Sequence, residues 1–86
     1  MNPYDVILYP LMTERSVYMI ENENKLVFIV DRRATKLDVT KAVRELYGVE
    51  AEKVNTLINR GSKKKAFVKL KDDYDASDLA IRLGIL

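Results

Sequence analysis

Residues Lys25 to Asp31 read Lys-Leu-Val-Phe-Ile-Val-Asp, five apolar residues enclosed by two charges. Side chains alternate along an extended strand. Leu26, Phe28 and Val30 therefore fall on one face, and Val27 and Ile29 on the other. A strand with one wet face carries polar residues at every second position. This segment does not, so it is expected to be a central strand covered, at least in part, on both sides. That requires strands on its flanks and helices above it. A chain of 86 residues is long enough to supply them as one domain with a modest core.

The remaining segments provide candidates for those neighbours. Val39, Ala42, Val43, Leu46 and Tyr47 recur at the spacing of one helical face. Thr35 precedes them as an N-cap with Asp38 at the acidic position of a capping box, and Gly48 follows as a natural terminator. Val54 to Arg60 and Lys64 to Lys71 read as two strands around a Gly61-Ser62 turn. Val54, Thr56 and Ile58 would share one face, with Asn55, Leu57 and Asn59 opposite. Ala66, Val68 and Leu70 would face the core, leaving Lys65, Phe67, Lys69 and Lys71 on the other side. Val6-Ile7-Leu8-Tyr9, stopped by Pro10, is expected to be a brief strand or packed arm. Thr13 reads as the N-cap of a short helix reaching about Glu21, with Glu14 in its first turn and Val17 and Ile20 on its apolar face. Glu21-Asn22-Glu23-Asn24 is expected to turn. Near the end, Asp75 or Ser77 would cap a last helix holding Leu79, Ala80 and Leu83, with Gly84 stopping it. The expected fold is α+β, a single domain over residues 1–86. Its mostly antiparallel sheet of three to four strands would be packed with two to three helices in a ferredoxin-like manner.

Charge is unevenly distributed. Residues 1–24 hold one base and four acids, residues 25–71 thirteen and five, and residues 72–86 one and four, net −3, +8 and −3. Arg60 to Lys71 alone carries six basic residues and no acid. Such a pattern fits one surface for a polyanion and another turned elsewhere. The competing reading is a solvated hairpin whose lysines only block edge-to-edge pairing. Catalysis has little to work with. His and Cys are both absent, removing the commonest general base, the commonest metal ligand and thiolate chemistry. The carboxylates are scattered, so neither a metal nor another cofactor is expected. No apolar run approaches the roughly 20 residues that cross a bilayer, and the N-terminus lacks a basic region followed by an apolar stretch. The expectation is a non-catalytic intracellular protein without membrane insertion.

Lysines with an aromatic ring among them suit RNA better than an acidic protein. Lys reaches phosphates, Asn55 can read base edges or sugars, and Phe67 could stack on an unpaired base. Six phosphate contacts would give a log–log salt slope of roughly −4 to −5. Alternatively, Phe67 fills a small second core beneath a helix. Lys63 to Leu70 partly matches the aromatic strand of the RNA-recognition motif, but Lys64, Lys65 and Leu70 stand where a Gly and two aromatics belong, and the match is attributed to strand composition. Lys36, with Arg32 and Arg33 beside it, lies at a helix N-terminus, where anions are favoured. Spacing alone equally allows ordinary exposed loop residues. On chemistry alone, Glu14 is a helix-start carboxylate and Asn55 a polar strand residue facing solvent.

The ordered series of motifs resembles a known family. Ile7-Leu8-Tyr9-Pro10-Leu11-Met12-Thr13-Glu14-Arg15-Ser16 is similar to the opening signature of the universal large-subunit ribosomal protein twenty-three family. Asn24 to Asp31 resembles its first long strand, Ala34 to Val43 the start of its central helix, and Val54 to Leu57 and Lys63 to Leu70 its later strands. The resemblance covers roughly residues 6–71 in order. It implies a protein that binds large-subunit ribosomal RNA at the rim of the polypeptide exit tunnel, beside other ribosomal proteins. By position it implies that Lys36, Asn55, Thr56 and Lys63, Lys64 and Lys65 face RNA. With the other bases of the middle segment, the candidate RNA-binding set is Arg32, Arg33, Lys36, Lys41, Asn55, Thr56, Arg60, Lys63, Lys64, Lys65 and Lys69. Glu14 matches the acidic position through which members engage nascent-chain factors.

One departure limits what is carried over. Bacterial members have a long loop between the last two strands that reaches into the tunnel, whereas the turn here spans only about Arg60 to Lys63. The chain also lacks the basic N-terminal extension of eukaryotic members, so the resemblance is to the archaeal type. Its implied docking partner is the signal recognition particle or a nascent-chain-associated complex rather than the bacterial trigger factor. Two other readings stay open on residues alone: a free-standing single-stranded RNA-binding module, which would need more exposed aromatics than Phe67, and a small enzyme, which would need side chains this sequence lacks.

Overall fold

The computed structural model describes residues 1–59 and 61–86; Arg60, a basic candidate and the expected end of a strand, lies outside the described residues. The elements run α1 (Pro3–Val6), β1 (Ile7–Pro10), α2 (Glu14–Glu23), β2 (Lys25–Val30), α3 (Lys36–Tyr47), β3 (Ala51–Ile58), β4 (Lys64–Leu70) and α4 (Ala76–Arg82). The four strands form one sheet in the order β1-β2-β4-β3, antiparallel at every pairing. The apolar run of β2 takes an interior position, as its composition demands. Leu26 to Val30 are all buried.

The alternation of the strands sorts the sheet into two faces. Leu26, Phe28 and Val30 join Val54, Ala66, Val68 and Leu70 on one, against Val39, Ala42 and Val43 of α3 and Leu79 and Ala80 of α4. Phe28 is fully buried, and its ring stacks on Tyr47 at 5.9 Å between centroids. On the other face Val27 pairs with Phe67 and Ile29 with Lys65. Here α2 adds Met19 next to Val27 and Phe67, while Ile20 goes to the main core. β1 is an edge strand with an irregular register between Ile7 and Tyr9, a position that tolerates the missing N–H of Pro10.

The helix caps follow their sequence signals. The Thr35 hydroxyl accepts from the Asp38 N–H at 3.1 Å, and the Asp38 carboxylate accepts from the Thr35 N–H at 2.9 Å. Gly48 ends α3 at φ +71°, where a side chain would be strained. At α2 the box is built with Ser16, whose buried hydroxyl accepts from the Thr13 N–H at 2.8 Å and donates to the Leu11 carbonyl at 2.9 Å.

Two expectations are corrected. The segment from Glu21 does not turn; α2 continues to Glu23 because Asn24 adopts the left-handed conformation, φ +55°, that closes it. Of the expected pair on α2, Ile20 is buried and Val17 half-buried, with Ser16 and Met19 completing the buried face. α4 is capped by Asp75 and stops at Arg82, leaving Leu83 as its C-cap. The one-turn α1, with Asn2 as cap and Pro3 at its start, was not anticipated.

Candidate nucleic-acid interface

Register decides which lysines stand together. Lys25 of β2, Lys69 of β4 and Lys53 of β3 lie directly opposite one another, so three lysines cross the sheet in one row. In the next row on that face Val27, Phe67 and Asn55 align, and in the third Ile29, Lys65 and Leu57, with Tyr9 beside Ile29. Asn55 and Lys53 are exposed, and Lys25, Lys65, Phe67 and Lys69 are half-buried along their stems. A groove follows the first two rows, lined by Asn22, Asn55, Phe67 and the three lysines, with the carboxylates of Glu23 and Glu52 also on its border. Like charges directly opposite on a sheet destabilise it. Glu23 relieves the row only at its edge, through an ion pair with Lys25 at 3.2 Å. A groove with three lysines against two carboxylates, two amides and an aromatic ring keeps a net positive charge that can meet a phosphate, and its amides can accept from or donate to a sugar or base edge.

A second basic group gathers at the end of the sheet where β2 finishes and β4 begins. Arg32 and Arg33 follow β2, Lys36 opens α3, and Lys63 precedes β4; all four are exposed. Arg33 is already engaged, donating from Nε and an Nη to the Asp31 carboxylate at 3.1 and 3.2 Å. Those bonds hold the Asp31 carboxyl below its usual range and raise the Arg33 guanidinium, so the pair is close to neutral in its effect on a passing anion.

The other candidates fall elsewhere. Lys64 is in register with Val30, on the helix-covered side, and its ammonium donates to the Ala34 carbonyl at 2.7 Å. Thr56 also points to that side, opposite Ala66, and is half-buried. Lys41 is exposed on α3, whose buried side meets the sheet, so it lies on the outer surface of the helical layer. Lys71 does not continue the stripe, since β4 ends at Leu70 and Lys71 bonds to Glu50 at 3.2 Å. That contact, with a hydrogen bond from Tyr74, lowers the Glu50 carboxyl. Sequence reasoning missed Lys25 and Lys53. Each sits in phase with the open face of its strand, but only strand pairing brings them beside Lys69. Glu14 is exposed at the start of α2, bordering a groove with Arg15, Tyr18, Met19 and Glu23, the last of which also borders the lysine groove.

These features define a class: a small α+β protein with one sheet face packed beneath α3 and α4 and the other covered only in part by α2 and lined with lysines. Comparison with known proteins narrows the class to one family. Residues 5–74 match the family described as ribosomal protein L23. Three relatives, each named large ribosomal subunit protein uL23, come from Methanococcus aeolicus (53% identical), Methanococcus maripaludis (47%) and Methanococcus vannielii (46%), each over 85 residues and 99% of both chains. The chain belongs to the ribosomal protein L23 family. The archaeal relatives agree with the archaeal type read from the sequence.

Proposed function

We propose that the open face of the sheet binds large-subunit ribosomal RNA, with Lys25, Lys53, Lys65 and Lys69 neutralising phosphates and Asn55 contacting a sugar or base edge. Family membership makes the chain a structural constituent of the large ribosomal subunit, not an enzyme. The observation that carries the RNA reading is the row of Lys25, Lys69 and Lys53, a repulsive arrangement in the isolated fold that a polyanion relieves. Arg32, Lys36 and Lys63 extend the contact around the end of the sheet. Lys64 supports it from behind, tying the start of β4 to the Ala34 carbonyl, Thr56 backs the sheet from the covered side, and Lys41 serves a separate contact on the helical layer. By family resemblance the site of assembly is the rim of the exit tunnel, among neighbouring ribosomal proteins. Glu14, exposed beside Tyr18, offers an acidic docking point for the signal recognition particle or a nascent-chain-associated complex.

The test is a salt series of binding to a folded large-subunit ribosomal RNA fragment, beside an unstructured RNA of equal length. The four lysines of the face alone give a log–log slope of about −3 to −4, and Arg32, Lys36 and Lys63 steepen it toward about −5 to −6. Lys65→Glu/Lys69→Glu should weaken binding at least about tenfold and flatten the slope by about 2. Equal affinity for both RNAs would favour a free-standing single-strand binder, and an unchanged double variant would reduce the lysines to a solvated face.

A further inference from the structure

Around the end of the sheet lies a cleft that the lysine rows do not explain. It is bordered by Leu8, Tyr9, Ile29, Ile58, Arg32 and Lys63. Its floor is apolar and accessible: Leu8 is 56% exposed, Ile58 52% and Tyr9 42%. Ile29 belongs to the open face and Ile58 to the covered one, so the cleft wraps the edge where the two meet. Asp31 also borders it, already bonded to Arg33. Among the described residues neither Arg32 nor Lys63 has an ion-pair partner.

The Tyr9 ring is held in an unusual way. Lys63 donates from Nζ to the Tyr9 hydroxyl at 3.1 Å, with the same nitrogen 5.8 Å from the ring centroid. An ammonium that close to the hydroxyl and that far from the centroid lies beyond the ring's tip, near its plane. The contact is a hydrogen bond rather than a cation resting on the ring, and it leaves the faces of the ring free of the lysine. β1 and β4 are not neighbours in the sheet; the bond links Tyr9 to the residue before β4 across the end of β2 and holds the tip of the ring, while leaving rotation about its long axis free.

We propose that this cleft receives a single unpaired nucleotide of the bound RNA. Its base would lie against Tyr9 and the aliphatic floor, and its phosphate between Lys63 and Arg32. The inference rests on the RNA-binding reading above and specifies a contact which that reading lacks. An apolar floor, an aromatic ring and flanking cations are the elements by which proteins hold a base splayed out of a folded RNA. The site is continuous with the lysine face, since Tyr9, Ile29 and Lys65 share one row. One RNA strand can therefore run from the cleft to the lysine rows without leaving a basic surface. An acidic peptide could use the same cations, but it has no comparable need of the ring.

The experiment binds the full chain to in vitro transcribed large-subunit ribosomal RNA from its own organism, with ultraviolet crosslinking and mass spectrometry of the adducts. Tyr9→Ala should weaken binding about 5- to 100-fold, the range of one base–aromatic stack. Tyr9→Phe, which keeps the ring and loses only the lysine contact, should cost no more than about threefold. Ile58→Glu, at a half-exposed position, should also cost tenfold or more and serves if Tyr9→Ala fails to fold. A nucleotide adduct is expected on Tyr9 or Lys63. If Tyr9→Ala and Ile58→Glu bind as wild type while Lys69→Glu is impaired, the cleft proposal falls and the RNA reading stands. If wild type does not bind the RNA, both fall. In intact large subunits, a benzophenone side chain at position 58 that crosslinks to a protein rather than to RNA would overturn the proposal in favour of a peptide partner.

Discussion

The two faces of this sheet are built from alternate residues of the same strands, yet they obey opposite rules. On the covered face Leu26, Phe28, Val68 and Leu70 are each at most 1% exposed, and these side chains fill the core. One residue along, Lys25, Lys69 and Lys53 stand opposite each other, a placement that costs about 0.2–1 kcal/mol per like-charged pair in the free protein. Packing dominates one side, while the other carries a lysine row in which, among the described residues, only Lys25 has an ion-pair partner, Glu23 at 3.2 Å. Within the lysine-bearing face, the half-buried ring of Phe67 borders both the Met19 groove under α2 and the lysine groove. It packs and lines the site at once, so neither of the two readings open to it from sequence excludes the other.

The largest expected effect comes from breaking the covered face. Phe28→Ala removes a fully buried ring stacked on Tyr47 and should cost about 3–5 kcal/mol, a large share of the 5–15 kcal/mol that usually holds a fold. Urea denaturation measures the loss. RNA affinity corrected for the folded fraction should move less than about twofold. A larger specific loss would mean that the two faces are coupled. Asn24→Ala should come next, at about 2–4 kcal/mol. Its side chain donates to the Tyr74 carbonyl at 2.9 Å and, more weakly, the Leu70 carbonyl at 3.3 Å, and accepts from the Ala76 N–H at 2.7 Å. Asn24→Gly separates the causes, because it relieves the φ of +55° without restoring the bonds. If Gly recovers nearly all the stability, the side-chain bonds matter little.

That second prediction marks a boundary of what the sequence disclosed. Local signals were readable: the two-sided apolar run of β2, the Thr35–Asp38 box and the alternation of β4 each depend on residues within a few positions. Asn24 was read only as part of a turn, because its partners Leu70, Tyr74 and Ala76 lie 46 to 52 positions away. The site divided in the same way. Lys65 and Lys69 were visible from the period of one strand. Lys25 and Lys53 needed the pairing of three, and the Lys63–Tyr9 bond needed the order of the whole sheet. The period of β4 also puts Lys64 in phase with Ala66 and so on the covered face; what a single strand could not reveal was its bond to the Ala34 carbonyl, 30 positions away.

The smallest expected effect is the one that most sharpens the contrast, because its two parts have opposite signs. Lys69 is the middle of the row, between Lys25 and Lys53. Lys69→Glu turns two repulsive cross-strand pairs into attractive ones, so the free protein should gain about 0.5–1 kcal/mol in low-salt urea denaturation. The gain should shrink toward zero in 1 M salt, where the screening length is about 3 Å. It is bounded because Lys25 already has Glu23 at 3.2 Å. RNA binding should weaken across all sequences, with the salt slope reduced by about 1. A side chain whose replacement hardens the fold and loosens the complex is kept for the partner. Were Lys69→Glu instead to destabilise the protein and leave RNA affinity unchanged, the open face would be solvated surface, and the difference between the two faces would be one of packing alone.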